Sequence, residues 1–447
     1  MSAAQFDLRA CISNMEANRG LKDAFAERLK ARGERHSISV TDLVALRPAY
    51  YARVRPDIVP DLERQEQMML GSGFHEQFTR AVTKEEYIEQ FVEMDGITGR
   101  IDIYEQHPLE LKTTRAPIQA EDIKNRRPSW LEQLGMYCAM VNRTEGWLLV
   151  YNREAGTHPL IAFGVRFDGL TWIQTEMASR RDFLASALKS GTPDSLGVCP
   201  WRGKGCIYEA QRVCSCADLN ETPSFPIADK AVNVARDEGV EQDFAKRLAR
   251  PSGAKEGIRV TDLVFPRKAY FAAASQAPHE EETVSKLESF DRYGLVRELI
   301  SRGLAGKGEL SRRPIELGPI RDRVLIHKGA ATVVRVSEFR EPVQRWQLPD
   351  TFRHYVIRLG FDAALAGTQR GRLVVYYRNA SSEDAKLMVY DIFFKDLDHL
   401  RREAEQRAGL LVGAKATGDP GLLPPCPAWM FKFCQYKDWC RCGGEAT

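Results

Sequence analysis

"VTDLVALRPAYY", residues 40–51, returns without a gap as "VTDLVFPRKAYF" at 260–271. Two further matches follow in the same order. "QLGMYCAMVNRTEGWLLVY" at 133–151 answers to "RLGFDAALAGTQRGRLVVY" at 358–376, and "CPWRGKGCIYEAQRVCSC" at 199–216 to "CPAWMFKFCQYKDWCRC" at 426–442. The separation drifts only from 220 to 227 residues. Ordered matches at one period are the mark of a duplicated unit. The polar, Pro-containing stretch "ADLNETPSFPIADK" at 217–230 reads as the junction. The expected organisation is a first copy over 1–216, a linker and N-terminal helix over 217–257, and a second copy over 258–447.

Working outward through the first copy, the patterns predict helices near 22–32, from Thr41–Asp42 and from Ser72. Strands are expected at 88–94, 97–104 and 108–113, a helix at 129–142, strands at 146–151 and 160–166, and a helix at 170–190. That is an α/β core, a small mixed sheet flanked by helices. With 447 residues, 43% hydrophobic and 28% charged, the chain has room for two such cores and the composition of a soluble protein. A net charge of +3 argues neither for nor against nucleic acid. No run approaches the roughly 18 apolar residues of a membrane span, and "MSAAQFDLRACISNMEANRG" lacks the apolar core of a signal peptide. The expectation is a cytoplasmic protein with no membrane partner.

Within "PLELKTT" (108–114), Glu110 and Lys112 share one face of the strand while Leu109 and Leu111 share the other. Asp102 in "GRIDIY" belongs to the strand before. A hairpin across "EQH" brings Asp102, Glu110 and Lys112 to one end of the sheet. Two adjacent carboxylates repel, and a hard divalent cation such as Mg²⁺ relieves that with only one or two protein oxygens. The neighbouring lysine would then steady charge on a phosphate. His75 sits on a helix upstream; Gln133 and Tyr137, four apart, share a helix face downstream.

In order, these residues form G-x-x-x-H (Gly71, His75), G-x-x-D (Gly99, Asp102), E-x-K (Glu110, Lys112) and Q-x-x-x-Y (Gln133, Tyr137), followed by cysteines. The series resembles the RecB-type branch of the PD-(D/E)XK nuclease superfamily, and within it the CRISPR-associated RecB-like exonucleases. The resemblance covers about 38–216 and, degraded, 258–442. It implies two tandem restriction-endonuclease-like domains and hydrolysis of DNA phosphodiesters with Mg²⁺ or Mn²⁺, in exonuclease fashion on single-stranded or free-ended DNA. The settings it implies are repair, recombination or the processing of mobile elements in defence. Asp102, Glu110 and His75 would hold the metal, Lys112 would assist the water, and Gln133 and Tyr137 would hold the DNA strand.

Eight of the ten cysteines fall in two groups: Cys199, Cys206, Cys214, Cys216 and Cys426, Cys434, Cys440, Cys442. Four within about eighteen residues, twice, point to metal. Cys11 and Cys138 read as small buried hydrophobes. The resemblance implies a four-iron, four-sulfur cluster in each group, stapling it to an N-terminal helix. The family draws one ligand from just before that helix, where Ala45 and Phe265 stand here. A purely local four-thiolate site equally suits zinc.

Gapless alignment of the second copy puts Arg335 at Glu110, Ser337 at Lys112, Arg358 at Gln133 and Asp362 at Tyr137, with His327 or Leu325 at Asp102 and Val296 at His75. The second copy is therefore expected to be inactive, with Arg335 and Arg358 as candidate DNA contacts. Two rival readings stand beside nuclease action: a non-catalytic DNA-binding module, and a metal-stapled scaffold within a helicase–nuclease or recombination assembly. No G-x-x-x-x-G-K-[ST] motif occurs, so a motor would be a separate chain.

Overall fold

In the computed structural model, residues 6–30, 37–155, 159–203, 205–214, 216, 219, 221–249, 257–274, 279–304, 309–427, 430, 434, 436 and 440 are described, with side chains in 279–304 from 286 onward. The first strand, β1 (Ile12–Ala17), does not join the sheet that follows it in sequence. The chain folds as two compact units that interleave: one from Lys30–Arg250 with His279–Leu295, the other from Met1–Leu29, Pro251–Pro278 and Val296–Thr447. This corrects the contiguous boundaries at 216 and 257. Each is an α/β unit with a mixed sheet flanked by helices.

In the unit built around 30–250, the sheet comprises β2 (Ile38–Ser39), β3 (Ile88–Met94), β4 (Ile97–Tyr104), β5 (Pro108–Thr114), β6 (Glu145–Asn152), β7 (Leu160–Phe167) and β8 (Ala231–Arg236). Its order is β2-β4-β5-β6-β7-β8, with β3 paired to β4. β5 and β6 run parallel, joined through the helix Pro128–Met140, and the other pairs except β2/β4 are antiparallel. The opening motif explains itself here. Asp42 accepts from the Ser39 N–H at 2.9 Å while the Asp42 N–H donates to Ser39 Oγ at 3.3 Å, a reciprocal cap that starts the helix Val40–Val44. Asp262 repeats half of it, accepting from the Arg259 N–H at 2.9 Å.

Of the expected junction at 217–230, the described residues from 221 onward are not a free linker. Ile227 is fully buried, and the Ile227 and Ala228 N–H groups each donate to Glu132 Oε1 at 2.8 Å, with Arg180 donating to Glu132 Oε2. β8 then pairs with β7, and Phe244 and Leu248 of the helix Glu238–Ala249 enter the core against Phe78 and its neighbours. The helix Leu62–Val82 begins at an Asp61 cap (Arg64 N–H to Oδ1, 2.9 Å), ten residues before Ser72, because Gly71 and Gly73 are interior. Gly73 is there for contact. A Cβ on it would lie 2.3 Å from the backbone of Gly294 in the helix His279–Glu298.

The second unit orders β9 (Leu310–Leu317), β10 (Ile320–His327), β11 (Ala330–Ser337), β12 (Arg370–Tyr377) and β13 (Leu387–Phe394) as β1-β13-β12-β11-β10-β9. Again one parallel pair, β11/β12, is bridged by a helix, Arg353–Ala366. The edge position held by β8 in one unit is held by β1 in the other, and the helix Arg19–Lys30 follows it, burying Phe25 and Leu29. Each half of the chain has given its first strand and helix to the other half's sheet. Among the described residues no helix is long and apolar enough to cross a membrane.

Candidate active site

β4 and β5 form the hairpin across 105–107, pairing Ile103 with Leu109 and Tyr104 with Pro108. Beyond those pairs Asp102 turns its carboxylate across, accepting the Leu111 N–H at Oδ2 (2.7 Å) while Oδ1 lies 3.5 Å from His75 Nδ1. Lys112 Nζ donates to Glu110 Oε1 at 2.6 Å and to Gln133 Oε1 at 2.8 Å. Gln133 in turn bonds the Tyr137 hydroxyl, which also meets the Arg100 backbone. All six sequence-predicted residues thus form one connected group. His75 lies mid-helix rather than in the first turns, one consequence of the earlier helix start.

The glycine of G-x-x-D has a steric reason. A Cβ on Gly99 would sit 2.7 Å from the Tyr137 ring. Glu110 and Tyr137 are buried at 2% and 3% exposure, whereas His75, Asp102 and Lys112 reach partial exposure, so the group runs from the interior to an open end. Burial, then the charge of Asp102, pushes Glu110 up to about 7 despite Lys112. Burial would raise Asp102 too, but His75, Lys112 and the Leu111 N–H outweigh it and hold its carboxyl below the usual range. The pair is thereby split into one firm anion and one carboxyl poised near neutrality. Glu110 Oε2 is buried with no hydrogen-bond partner. Among the described residues no three His, Cys, Asp or Glu side chains converge as a ready cage for an ion. An octahedral Mg²⁺ held by one or two carboxylates needs no such cage.

On the same sheet face a cleft of about 930 Å³ opens, with Ile161 and Phe163 among its lining and Arg115, Asn152 and Arg236 at its polar rim. Ile161 stands in one cross-strand row with Val150 and Lys112, and Phe163 in one with Leu148 and Glu110. Row neighbours point the same way. Sequence reasoning missed this cleft because Arg236 reaches it on β8, from the other half of the chain.

The first cysteine group is buried against the helix Leu46–Val54: Cys199, Cys206, Cys214 and Cys216 pack with Ala49, Tyr50 and Tyr51. The Cys199 N–H donates to Cys216 Sγ at 3.1 Å, and a hydrogen bond from the Cys199 thiol draws Cys206 down to about 6. Cys426, Cys434 and Cys440 cluster likewise, with Phe265 and Phe271 against them; Cys440 is in a disulfide whose partner is outside the described residues. Cys442 also lies outside them. Cys11 and Cys138 are buried, as expected.

In the other unit, strand register revises the alignment. Lys112 pairs with Val150 and Glu110 with Leu148, while Arg335 pairs with Val375 and Val333 with Leu373. Val375 and Leu373 answer to Val150 and Leu148, so Arg335 stands at the place of Lys112, and Val333 at that of Glu110. Counted from the hairpin Ile326↔Ala331, the residue across from Val333 is Val324. Counted from the bridge Ile258↔Ile320 the match to Asp102 is Leu325; both are apolar, and His327 is at the strand's end instead. The gapless alignment failed because the connection from this strand to the following helix is two residues longer here, 23 residues from Arg335 to Arg358 against 21 from Lys112 to Gln133. The hairpin loop Lys328–Gly329, one residue shorter than 105–107, then shifts the match to Asp102 by one more. Arg358 does occupy the place of Gln133, but it is engaged with Thr261 Oγ1 (2.6 Å) and faces Asp362 (3.5 Å). Arg335 lies over the Tyr355 ring.

No family model and no curated protein matches the chain. Among solved structures, the crystal structure of SSO0001 is similar over 44% of this chain and 91% of its own, at 18% identity and a TM-score of 0.30. That likeness is too loose to carry an argument.

Proposed function

We propose that this protein is a metal-dependent DNA nuclease of the RecB-like PD-(D/E)XK type. Its catalytic centre would be at Asp102, Glu110 and Lys112, and its second unit would be a non-catalytic counterpart. The observation that carries the reading is the buried, partnerless Oε2 of Glu110 beside the Asp102 carboxylate and under the Lys112 ammonium. An apolar ligand, or one that offers only hydrogen-bond acceptors, would not favour two carboxylates in that position; a hard cation would.

Asp102 and Glu110 would hold Mg²⁺ or Mn²⁺, with His75 at the open end. The ion would supply an acidified water and neutralise phosphate charge. Lys112 is fixed by Glu110 and Gln133, so its remaining N–H is free to meet a phosphate oxygen without reorganisation. Tyr137, kept protonated by burial, buttresses Gln133 from behind. The matching strand order of the two sheets and the cysteine groups packed on corresponding helices support tandem restriction-endonuclease-like domains. A metal staple, iron–sulfur or zinc, would be held by four thiolates in each, which in the second group requires the Cys440 disulfide to be reduced. The second unit lacks every carboxylate of the site. Because Arg358 is engaged with Thr261 and Asp362, and Arg335 with the Val334 carbonyl and the Tyr355 ring, a scaffold role for that unit is favoured over DNA holding.

Incubating full-length protein with free-ended and end-blocked DNA, single- and double-stranded, in Mg²⁺, Mn²⁺ or EDTA tests the reading. Cleavage that depends on the ion and disappears in Asp102→Ala supports it. Undiminished cleavage by Asp102→Ala/Glu110→Ala would overturn it.

A further inference from the structure

The second unit has a polar centre that nuclease action does not use. Arg372, 2% exposed, donates to Asp391 through Nε (2.9 Å) and Nη2 (3.3 Å), and its Nη1 meets the His327 carbonyl (3.1 Å) and Nδ1 (2.9 Å). Arg370 pairs with the same Asp391 carboxylate. One carboxylate therefore serves two guanidinium groups. Nearby, Glu309 serves both Arg28 (3.1 Å) and Lys328 (3.0 Å). Two positive charges are left without a counter-charge in these four-cation, two-anion pairs.

Lys328, Arg370 and Arg372 line a pocket of about 270 Å³ together with Asn18, Gly20 and Leu21. Gly20 and Leu21 belong to the first turn of the twelve-residue helix Arg19–Lys30, which carries no acidic residue there. Arg370 Nε is buried and has no hydrogen-bond partner. The Leu21 N–H is taken by Asn18 Oδ1 (2.9 Å), whose Nδ2 donates to Asp391 Oδ2 (2.7 Å), so that N–H is closed to a ligand while the helix dipole still adds to the positive field.

The other unit shows the corresponding place with an anion built in. Asp237 precedes its helix Glu238–Ala249, capping the Val240 N–H at 3.0 Å and accepting the Trp147 indole at 3.2 Å, with Glu238 and Glu241 in the first turn. In the second unit Asn18 stands where Asp237 does and Arg372 where Trp147 does, and across from Arg372 stands Asp391 where Gly164 faces Trp147. A carboxylate has become a carboxamide and an indole a guanidinium, which turns a neutralised helix start into a cationic one.

We infer that this pocket binds a phosphate dianion, free or as the end of a phosphomonoester, held by Arg370 and Lys328 at the start of that helix, with Arg372 behind them. Equilibrium dialysis of full-length protein against labelled inorganic phosphate, in EDTA and at constant ionic strength in chloride, tests it. The expected result is one phosphate per chain, with affinity lowered about tenfold or more in Lys328→Gly and in Arg370→Gln, the loss typical of a charge-assisted hydrogen bond. Lys328 has φ of 48°, which glycine adopts without strain, so that variant should fold. Lys112→Ala, at the candidate active site, should bind phosphate as wild type does even if it cleaves nothing, which separates this site from the nuclease reading. Displacement by dAMP would assign the site to monoesters, and resistance to it to the free anion. No binding by wild type, or wild-type affinity in both pocket variants, overturns the inference.

Discussion

Replacing Glu110 with glutamine should make the protein more stable at pH 8 and no more stable at pH 5. In the fold Glu110 titrates near 7 against an ordinary 4.5, a difference of 2.5. At about 1.36 kcal/mol per unit this is roughly 3 kcal/mol. The sign follows from the raised value. The folded state holds the proton more tightly, so the contribution is favourable below 4.5 and is lost as pH rises through 7. Above that the ionised, buried carboxylate is a net cost, which glutamine does not incur. For a unit of this size the cost corresponds to roughly 6–12 °C in the unfolding midpoint. The assay is heat unfolding of both proteins from pH 5 to 8, in EDTA and again with Mg²⁺. The ion should raise wild type at pH 8 and leave Glu110→Gln where it was, because its gain comes from occupying the unpaired Oε2. Parallel pH profiles for the two proteins would refute the reasoning, whatever either does to DNA.

Lys112→Ala should lower DNA cleavage about a hundredfold or more with unfolding unchanged beyond about 1 kcal/mol, read by initial rates at saturating Mg²⁺; a smaller rate loss would remove Lys112 from the phosphate. Gly99→Ala should cost about 1–3 kcal/mol, because the new methyl group and the Tyr137 ring would be 2.7 Å apart, and chemical denaturation at pH 7 measures it. Protein purified without oxygen should contain iron and sulfide in each cysteine group, and Cys214→Ala should destabilise the unit that carries it. Stoichiometric zinc in elemental analysis would select the other metal. Residues 1–216 expressed alone should fail to fold, since β8 and the helix with Phe244 and Leu248 would be missing, while residues 30–295 should give a cooperative transition.

Much of the first unit was legible because its elements are strongly patterned. Strands 88–94 and 97–104 and the helix 170–190 have the boundaries that alternation and helical periodicity indicate. The site was legible because each of its residues is fixed by a neighbour one strand or one helical turn away. The exchanged strands were not. β1 and β8 are edge strands, mostly exposed along "ISNMEA" and "AVNVAR", and an edge strand with little to bury has no apolar alternation to display. A signal existed one element later: "FAERL" at 25–29 returns as "FAKRL" at 244–248, with Phe and Leu buried in both places. It shows a shared helix but not whose sheet that helix covers, because partner choice is a long-range property. The second unit's register slipped for a local reason, a connection between strand and helix two residues longer, which a count made without gaps could not reveal.

The traded strands set a timetable for synthesis. β1 is made first yet has no partner until β13 leaves the ribosome, about 370 residues later. At 5–20 residues per second that wait is roughly 20–75 s. Meanwhile β8 closes its own sheet early, and the helix crossing at Gly73 and Gly294 completes that unit when residue 295 emerges. Nascent β1 must stay soluble throughout, which suits the polar faces of "ISNMEANRG". Neither half can be shed by gene truncation, because each would strand an edge that belongs to the other. The half without the site's carboxylates is thus retained by the fold itself, whatever its own role.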